Sequence, residues 1–223
     1  MLPRGRRMPS QRSFRWLFVT LAVAGLATDQ GTKYGMFRWL YNGGQPDSSG
    51  AFQVWPDARG EYDVVPGWFK FTAEFDPKTA PSGGTLAALQ TWSAPTMPRV
   101  NHGALFGMGG EHKGAANAVF AGVSVLAAAA IVVWGLRPGT ARDRWLCMSL
   151  GLILGGTVGN LYDRLVFGGV RDFLYFYRIN WPVFNIADCC LVCGACLLLV
   201  QAVLTPAPKP ATAPAEPAAA GAK

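Results

Sequence analysis

The stretch 159–194, GNLYDRLVFGGVRDFLYFYRINWPVFNIADCCLVCG, places Asp163, Arg164, Asp172, Asn185 and Asp188 at or near the ends of apolar segments long enough to cross a bilayer. A carboxylate at membrane depth is costly unless paired or hydrated, so each such residue is a functional candidate. Asp172 and Asp188 flank a short aromatic connector, and two helices joined there can bring them together. Two carboxyls a few ångströms apart do not both ionise easily. The ionised member can take a proton from water while its neighbour donates to a substrate carbonyl, and the apparent pKa values belong to the pair. Asn160 and Arg164 lie one turn apart, Asn185 and Asp188 share a helix face, and these polar groups can hold the pair and bind substrate backbone. Asp163 reads as a simple charge partner of the adjacent Arg164.

Other chemistries are weakly represented. The chain has no GxSxG, HExxH or GxxxxGK[ST] pattern, and its two histidines, His102 and His112, lack metal-ligand spacing. Cys189, Cys190, Cys193 and Cys196 include CxxC spacings, yet one helix cannot wrap four thiolates around an ion. Disulfides at these helical separations are geometrically excluded. The cysteines, Cys147 included, read as small apolar packing residues.

The elements that must position these groups are helices in a membrane. The chain is 51% hydrophobic and 15% charged, against about a quarter charged in a soluble domain. Four spans are expected: Phe14 to Ala27 continuing through TDQGTKYGMFRWL, Asn117 to Leu136, Trp145 to about Leu161, and about Ile186 to Leu204. Arg4, Arg6, Arg7, Arg12 and Arg15 precede the first span, and RPGTARDR links the second and third. The positive-inside rule then puts that loop and both termini in the cytoplasm. Arg164, Arg171 and Arg178 run against that bias, and their place beside Asp163 and Asp172 suggests another reason. The formal charge of +7 does not imply nucleic acid, since no base-stacking or recognition-helix pattern accompanies it.

The first segment also reads as a cleavable signal peptide with Ala22-Val23-Ala24 as its A-x-A site. Against this, Asp29 and Lys33 continue at i,i+4 spacing, where they pair on one helix face. Residues 41–99 are rich in Pro, Gly, Ser and aromatics. Within them Phe69, Phe71, Ala73 and Phe75 alternate with polar residues as in a half-exposed strand, and Gly50–Val54 hints at another. Trp55, Trp68 and Trp92 suit a membrane interface. Residues 205–223 are Pro/Ala low complexity, expected to be disordered.

Five blocks in order give the chain a resemblance to lipoprotein signal peptidase, the membrane aspartyl peptidase family also called signal peptidase II. Asp29-Gln30-Gly31-Thr32-Lys33 looks like its DQxxK block, and Asn101 to Gly107 its NxGxxFG block. Gly159 to Arg164 resembles GNxxDR, Gly169 to Phe173 GxVxDF, and Pro182 to Asp188 PxFNxAD. The resemblance implies an all-α integral membrane protein. Four transmembrane helices (residues 14–204) would carry a small extracytoplasmic β-sheet, or cradle, between the first two, flanked by a basic cytoplasmic N-terminus (1–13) and the tail (205–223). It implies Asp172 and Asp188 as the catalytic dyad and Asn101, Asn160, Arg164 and Asn185 as substrate-binding groups. Asp29 and Lys33 would stand near the rim of the site. The implied reaction is hydrolysis of the peptide bond preceding the diacylglyceryl-modified cysteine of prolipoproteins. It would run without metal or cofactor, by a monomer in the lipid bilayer of a bacterial inner membrane, near the outer leaflet. An insertion of about 45–97 departs from the family pattern, and its deletion is expected to spare folding of the helices. The competing reading is a non-enzymatic membrane protein, either a proton-coupled carrier or an inactive lipoprotein-binding scaffold.

Overall fold

The computed structural model describes residues 12–41, 59–76, 78–103 and 113–204. Four long helices dominate: α1 (Arg15–Tyr41), α3 (Lys113–Gly135), α4 (Arg144–Phe167) and α5 (Ile186–Leu204), with a short α2 (Thr85–Gln90). Among the described residues three helices are long and apolar enough to cross a membrane: Gly114–Gly135, Arg144–Phe167 and Ile186–Leu204. Helix α1 runs without a break through Ala22-Val23-Ala24 and on past Asp29 and Lys33. The basic arm before residue 12, the Gly50–Val54 stretch and residues 205–223 lie outside the described residues.

Helix α4 is the hub, packing against α1, α3 and α5. Its stripe of Gly151, Gly155 and Gly159 faces α1, and a Cβ at Gly155 would lie 2.8 Å from the Ala22 carbonyl oxygen. Small residues let two backbones approach closely where lipid supplies no hydrophobic drive. Asp143 caps the helix by accepting from Trp145 N at 2.9 Å and Leu146 N at 3.1 Å. Its other oxygen accepts from Gln201 on α5 at 2.9 Å. Helix α4 extends six residues beyond the expected end near Leu161, to Phe167. It stops where Gly168 takes a left-handed φ of 74°, a conformation costly for a residue with a Cβ.

A small antiparallel sheet sits at one end of the bundle. Strand β2 (Phe69–Asp76) is its centre, matching the alternation read from sequence; β1 (Arg59–Val65) pairs along one edge. The other edge is shared: β3 (Met97–Pro98) pairs with Phe75 and Asp76, and β4 (Leu174–Tyr175) pairs with Lys70 and Phe71. The expected sheet between the first two spans is therefore completed by a strand from the α4–α5 connector. Ala73 and Phe75 face inward, burying against Phe37 and Leu40 of α1 and Phe173 and Leu174 of the connector. Phe37 and Phe75 meet edge-to-face with centroids 5.7 Å apart. The insertion is thus part of the core that fixes the connector, and deleting 45–97 would strip that support.

Candidate active site

Asp172 follows a tight backbone bridge. Asn101 N donates to Val170 O at 2.7 Å and Val170 N returns a bond to Asn101 O at 2.9 Å. On the other side Thr72 N donates to Phe173 O at 3.0 Å, and Phe173 N donates to Phe184 O at 3.0 Å. Asp172 is therefore gripped between the insertion, the 101 segment and the chain leading into α5. Asp188 stands in the first turn of α5, where its Oδ2 accepts from the backbone N of Asn185 at 3.2 Å.

Asn185 joins the two acids. Its Nδ2 donates to Asp172 Oδ1 at 2.6 Å, its backbone N donates to Asp188 Oδ2 at 3.2 Å, and its Oδ1 accepts from Asp188 N at 3.1 Å. Asn160 on α4 donates from Nδ2 to Asp188 Oδ1 at 2.8 Å, and Asn101 donates to Asp172 Oδ2 at 3.0 Å. Each carboxylate thus receives two donors, none of them a formal cation. Both acids are partly buried, and Asn185 is fully so. Burial first, then the nearby Asp188 charge, pushes Asp172 up to about 6, against the pull of the Asn101 and Asn185 hydrogen bonds.

Behind Asn160 lies a second constellation. Lys33 Nζ donates to Asp29 Oδ2 at 2.8 Å and to Asn160 Oδ1 at 3.1 Å, and stands 3.3 Å from Asp163 Oδ2. Arg171 Nη2 pairs with Asp163 Oδ1 at 2.9 Å, while Arg171 N donates to Asp163 Oδ2, also at 2.9 Å. The guanidinium lies over the rings of Phe167 and Tyr34, 3.9 and 4.2 Å from their centroids. Asp29 Oδ1 accepts from Ala187 N at 2.9 Å, tying α1 to the start of α5.

Asp29, Lys33 and Asp163 have no solvent exposure, and Arg171 is 1% exposed. Two anions against two cations leave the buried cluster neutral, as a site removed from water requires. Asp29 and Lys33 are therefore not at the rim: they pack behind the dyad, and Lys33 reaches it only through Asn160.

Asp163 does not neutralise Arg164. Adjacent residues of a helix do not face each other. Arg164 turns to α3, where Nη1 lies 3.5 Å from Asn117 Oδ1 and the guanidinium covers the Phe120 ring at 4.8 Å. It feels the charges of Asp172 and Asp188 from a distance. Asn101 begins the NxGxxFG block, whose residues 104–107 lie outside the described residues.

Gln30 and Gly159 were not named as site residues from the sequence, and Arg171 was flagged there without a role. Gln30 donates to Gly159 O at 3.0 Å and Asp163 Oδ1 at 3.2 Å, and accepts from Arg171 Nη2 at 2.9 Å. A Cβ at Gly159 would fall 2.6 Å from Asp29 Oδ2, so only glycine admits that carboxylate against α4. The signals were present: Gln30 lies inside the DQxxK block, and Arg171 was one of three cations on the wrong side for topology.

A cleft of about 300 Å³ opens onto Asp172, lined by Thr72 and Glu74 of β2, Arg99, Asn101 and Pro182. Asp172 thus stands at an open cleft, held by neutral donors, with a second acid one amide away.

Comparison with known proteins gives the same direction. The family described as Signal peptidase (SPase) II matches residues 94–204. A lipoprotein signal peptidase of Rhodopirellula baltica is 36% identical over 199 residues, covering 83% of this chain and 70% of that one. The chain belongs to the signal peptidase II family. Lipoprotein signal peptidases of Yersinia pseudotuberculosis and Cupriavidus taiwanensis are 42% and 44% identical, over 49% and 45% of the chain. These alignments span 65% and 57% of the two relatives. Two solved structures of a bacterial membrane enzyme share the fold at 20% identity, with TM-scores of 0.58 and 0.59 over 86% and 89% of the chain. The first relative's match extends over more of the chain than the family block, and the fold likeness likewise exceeds the helical half.

Proposed function

We propose that this signal peptidase II family member is a membrane aspartic endopeptidase. It hydrolyses the peptide bond preceding the diacylglyceryl-modified cysteine of prolipoproteins and so releases their signal peptides. The observation that carries the reading is Asn185, whose side chain binds Asp172 while its backbone binds Asp188, setting two carboxyls in one site.

In the proposed cycle Asp172 holds the proton, because its burial resists a second charge beside Asp188. Asp188 takes a proton from a water, whose oxygen attacks the scissile carbonyl as Asp172 protonates the carbonyl oxygen. The resulting diol collapses as the C–N bond breaks. The leaving amine takes the proton from Asp188, and the diol returns one to Asp172, restoring the starting state. General acid–base assistance of this kind contributes roughly 10²–10⁴-fold each way. Asn101, Asn160 and Asn185 orient the acids, and Arg164 adds positive potential without direct contact.

We also propose α1 as a fourth span. At ~1.5 Å rise per residue its 27 residues reach ~40 Å, enough to cross. Its Asp29 and Lys33 lower its apolar character yet are sealed inside the bundle. Four crossings put both ends in the cytoplasm and the dyad near the outer leaflet of a bacterial inner membrane, with a single chain as the acting unit.

The test is cleavage of a purified diacylglyceryl-prolipoprotein in nanodiscs, with the cut mapped by mass spectrometry. Hydrolysis immediately before the lipidated cysteine is expected. An intact substrate, with folded enzyme and a substrate that another signal peptidase II cleaves, would return weight to the carrier or scaffold.

A further inference from the structure

The cleft outside Asp172 carries a charge pair that the dyad does not use. Strand β2 alternates: Ala73 and Phe75 bury toward α1, so Thr72 and Glu74 face the opposite side and line the cleft. Strands β3 and β4 leave β2 at its two ends, and the cleft lies in the fork between them. Arg99 follows β3 directly, with its N donating to Glu74 O at 2.8 Å. Its Nη1 meets Glu74 Oε2 at 3.0 Å. The partners are unequally covered: the arginine side chain is 60% exposed and the glutamate 31%. The charge this wall presents to an arriving ligand is therefore the cation. An arginine fork has five N–H donors, more than one carboxylate can satisfy.

Which part of a substrate meets it follows from partition. The signal segment and the diacylglyceryl group are apolar and stay in the bilayer. Only the polar chain after the cysteine leaves it, and the cleft is the polar exit from Asp172. Resting on the peptidase reading above, we propose that Arg99, oriented by Glu74, is a specificity residue that favours an acidic side chain in the first residues after the lipidated cysteine. Glu74 prepays the ordering of the guanidinium and repels a second acid that is out of register. Glu74 belongs to strand β2 of the insertion, whereas Arg99 lies within the segment that the family matches.

The test uses the full-length enzyme in nanodiscs and two prolipoproteins that differ only after the cysteine, one with aspartates and one with serines. Wild type should show a lower KM for the acidic substrate at low salt, with kcat alike. In Arg99→Gln the ratio of kcat/KM, acidic over neutral, should fall about twofold to fivefold, the range of a solvent-exposed ion pair. The double variant Glu74→Arg, Arg99→Glu should invert the ratio in favour of a lysine-bearing substrate, a result that mere structural damage does not produce. Equal KM values for the two substrates in wild type, or an unchanged ratio in both variants, would overturn the subsite and leave the peptidase standing. Failure of wild type to cleave either substrate would remove the peptidase reading and the subsite together.

Discussion

On one side of Asn160, Asp29 and Asp163 are answered by the ammonium of Lys33 and the guanidinium of Arg171, and all four are sealed from water. On the other side, Asp172 and Asp188 are answered only by amide groups of Asn101, Asn160 and Asn185 and stay partly open. The chemistry of the four side chains is the same, and their surroundings separate them. A carboxylate matched by a buried cation is tied into the architecture. A carboxylate given neutral donors, a like charge and access to a cleft keeps a proton that can move. The contrast also explains why the bundle tolerates so many charges at membrane depth: the first pair builds the platform on which the second is poised.

Removing the mobile protons is the strongest way to break the contrast. Asp172→Asn or Asp188→Asn should lower kcat by about 10³-fold or more, since each carboxyl is an acid and a base in turn. The variants should stay folded, each losing one accepted hydrogen bond because an amide nitrogen cannot accept from the donors that hold the carboxylates. Single-turnover cleavage by purified protein, with circular dichroism for folding, is the check. Residual turnover within tenfold of wild type in either variant would end the dyad assignment.

Asp163→Asn should do the reverse. It leaves Arg171 buried with half its charge partner gone, a change worth roughly 3–5 kcal/mol where a buried pair is broken. Thermal unfolding in detergent should show a large fall in Tm, and activity should fall in step with the folded fraction. The charge-matched Asp163→Asn, Lys33→Met variant should recover part of the loss, because it removes one of each sign. No recovery would mean that shape, rather than charge balance, holds the cluster.

The distinction between these pairs was half legible in the sequence. Asp172 and Asp188 stand out because each lies in a motif block beside the asparagine or the aromatic run that positions it. Asp163 misleads because Arg164 is its neighbour in the chain. Adjacent helical residues diverge around the axis, and the true partner, Arg171, becomes available only after Gly168 ends α4 and turns the chain back. The long strand β2 was visible from its two-residue period. Strands β3 and β4, two residues each, are too short to carry any period, so the sheet's grip on Asp172 could not be read. Four helices were legible from apolar runs, although the C-terminal half of α1 gains its helical place from tertiary pairing at Asp29, Gln30 and Lys33.

A gentler change sharpens the dyad's side of the comparison. Asp172 is raised to about 6, so a proton needed for catalysis is lost from the free enzyme as pH climbs through that value. The profile of kcat/KM should therefore show a basic limb near pH 6. The sign for stability is the same: folded protein keeps this proton where the unfolded chain, with an ordinary value of 3.8, has released it. That contribution is present at low pH and lost as pH rises through about 6. Asn101→Ala deletes a donor that favours the charged form, so the limb should move upward in pH. A downward shift would show that Asn101 acts on something other than the Asp172 carboxylate.

The smallest expected effect concerns the thiols that border the dyad. Cys189 follows Asp188 directly, and the CxxC spacings Cys190/Cys193 and Cys193/Cys196 invite a redox or metal role. On a helix, residues three or four apart keep their Cβ atoms about 5–6 Å apart, beyond the ~3.5–4.5 Å of a disulfide. No group of three or more His, Cys, Asp and Glu side chains suited to a metal occurs among the described residues. Cys193 and Cys196 are exposed on the flank of α5, and Cys147 is buried. A small apolar side chain on a lipid-facing flank is replaceable, and substitutions of this kind stay within about 0.5 kcal/mol. Cys193→Ala should accordingly keep kcat/KM within about twofold of wild type under oxidising and reducing conditions alike. A tenfold loss would put a thiol back beside Asp188, and the separation between reactive and structural acids would then be an incomplete account of the site.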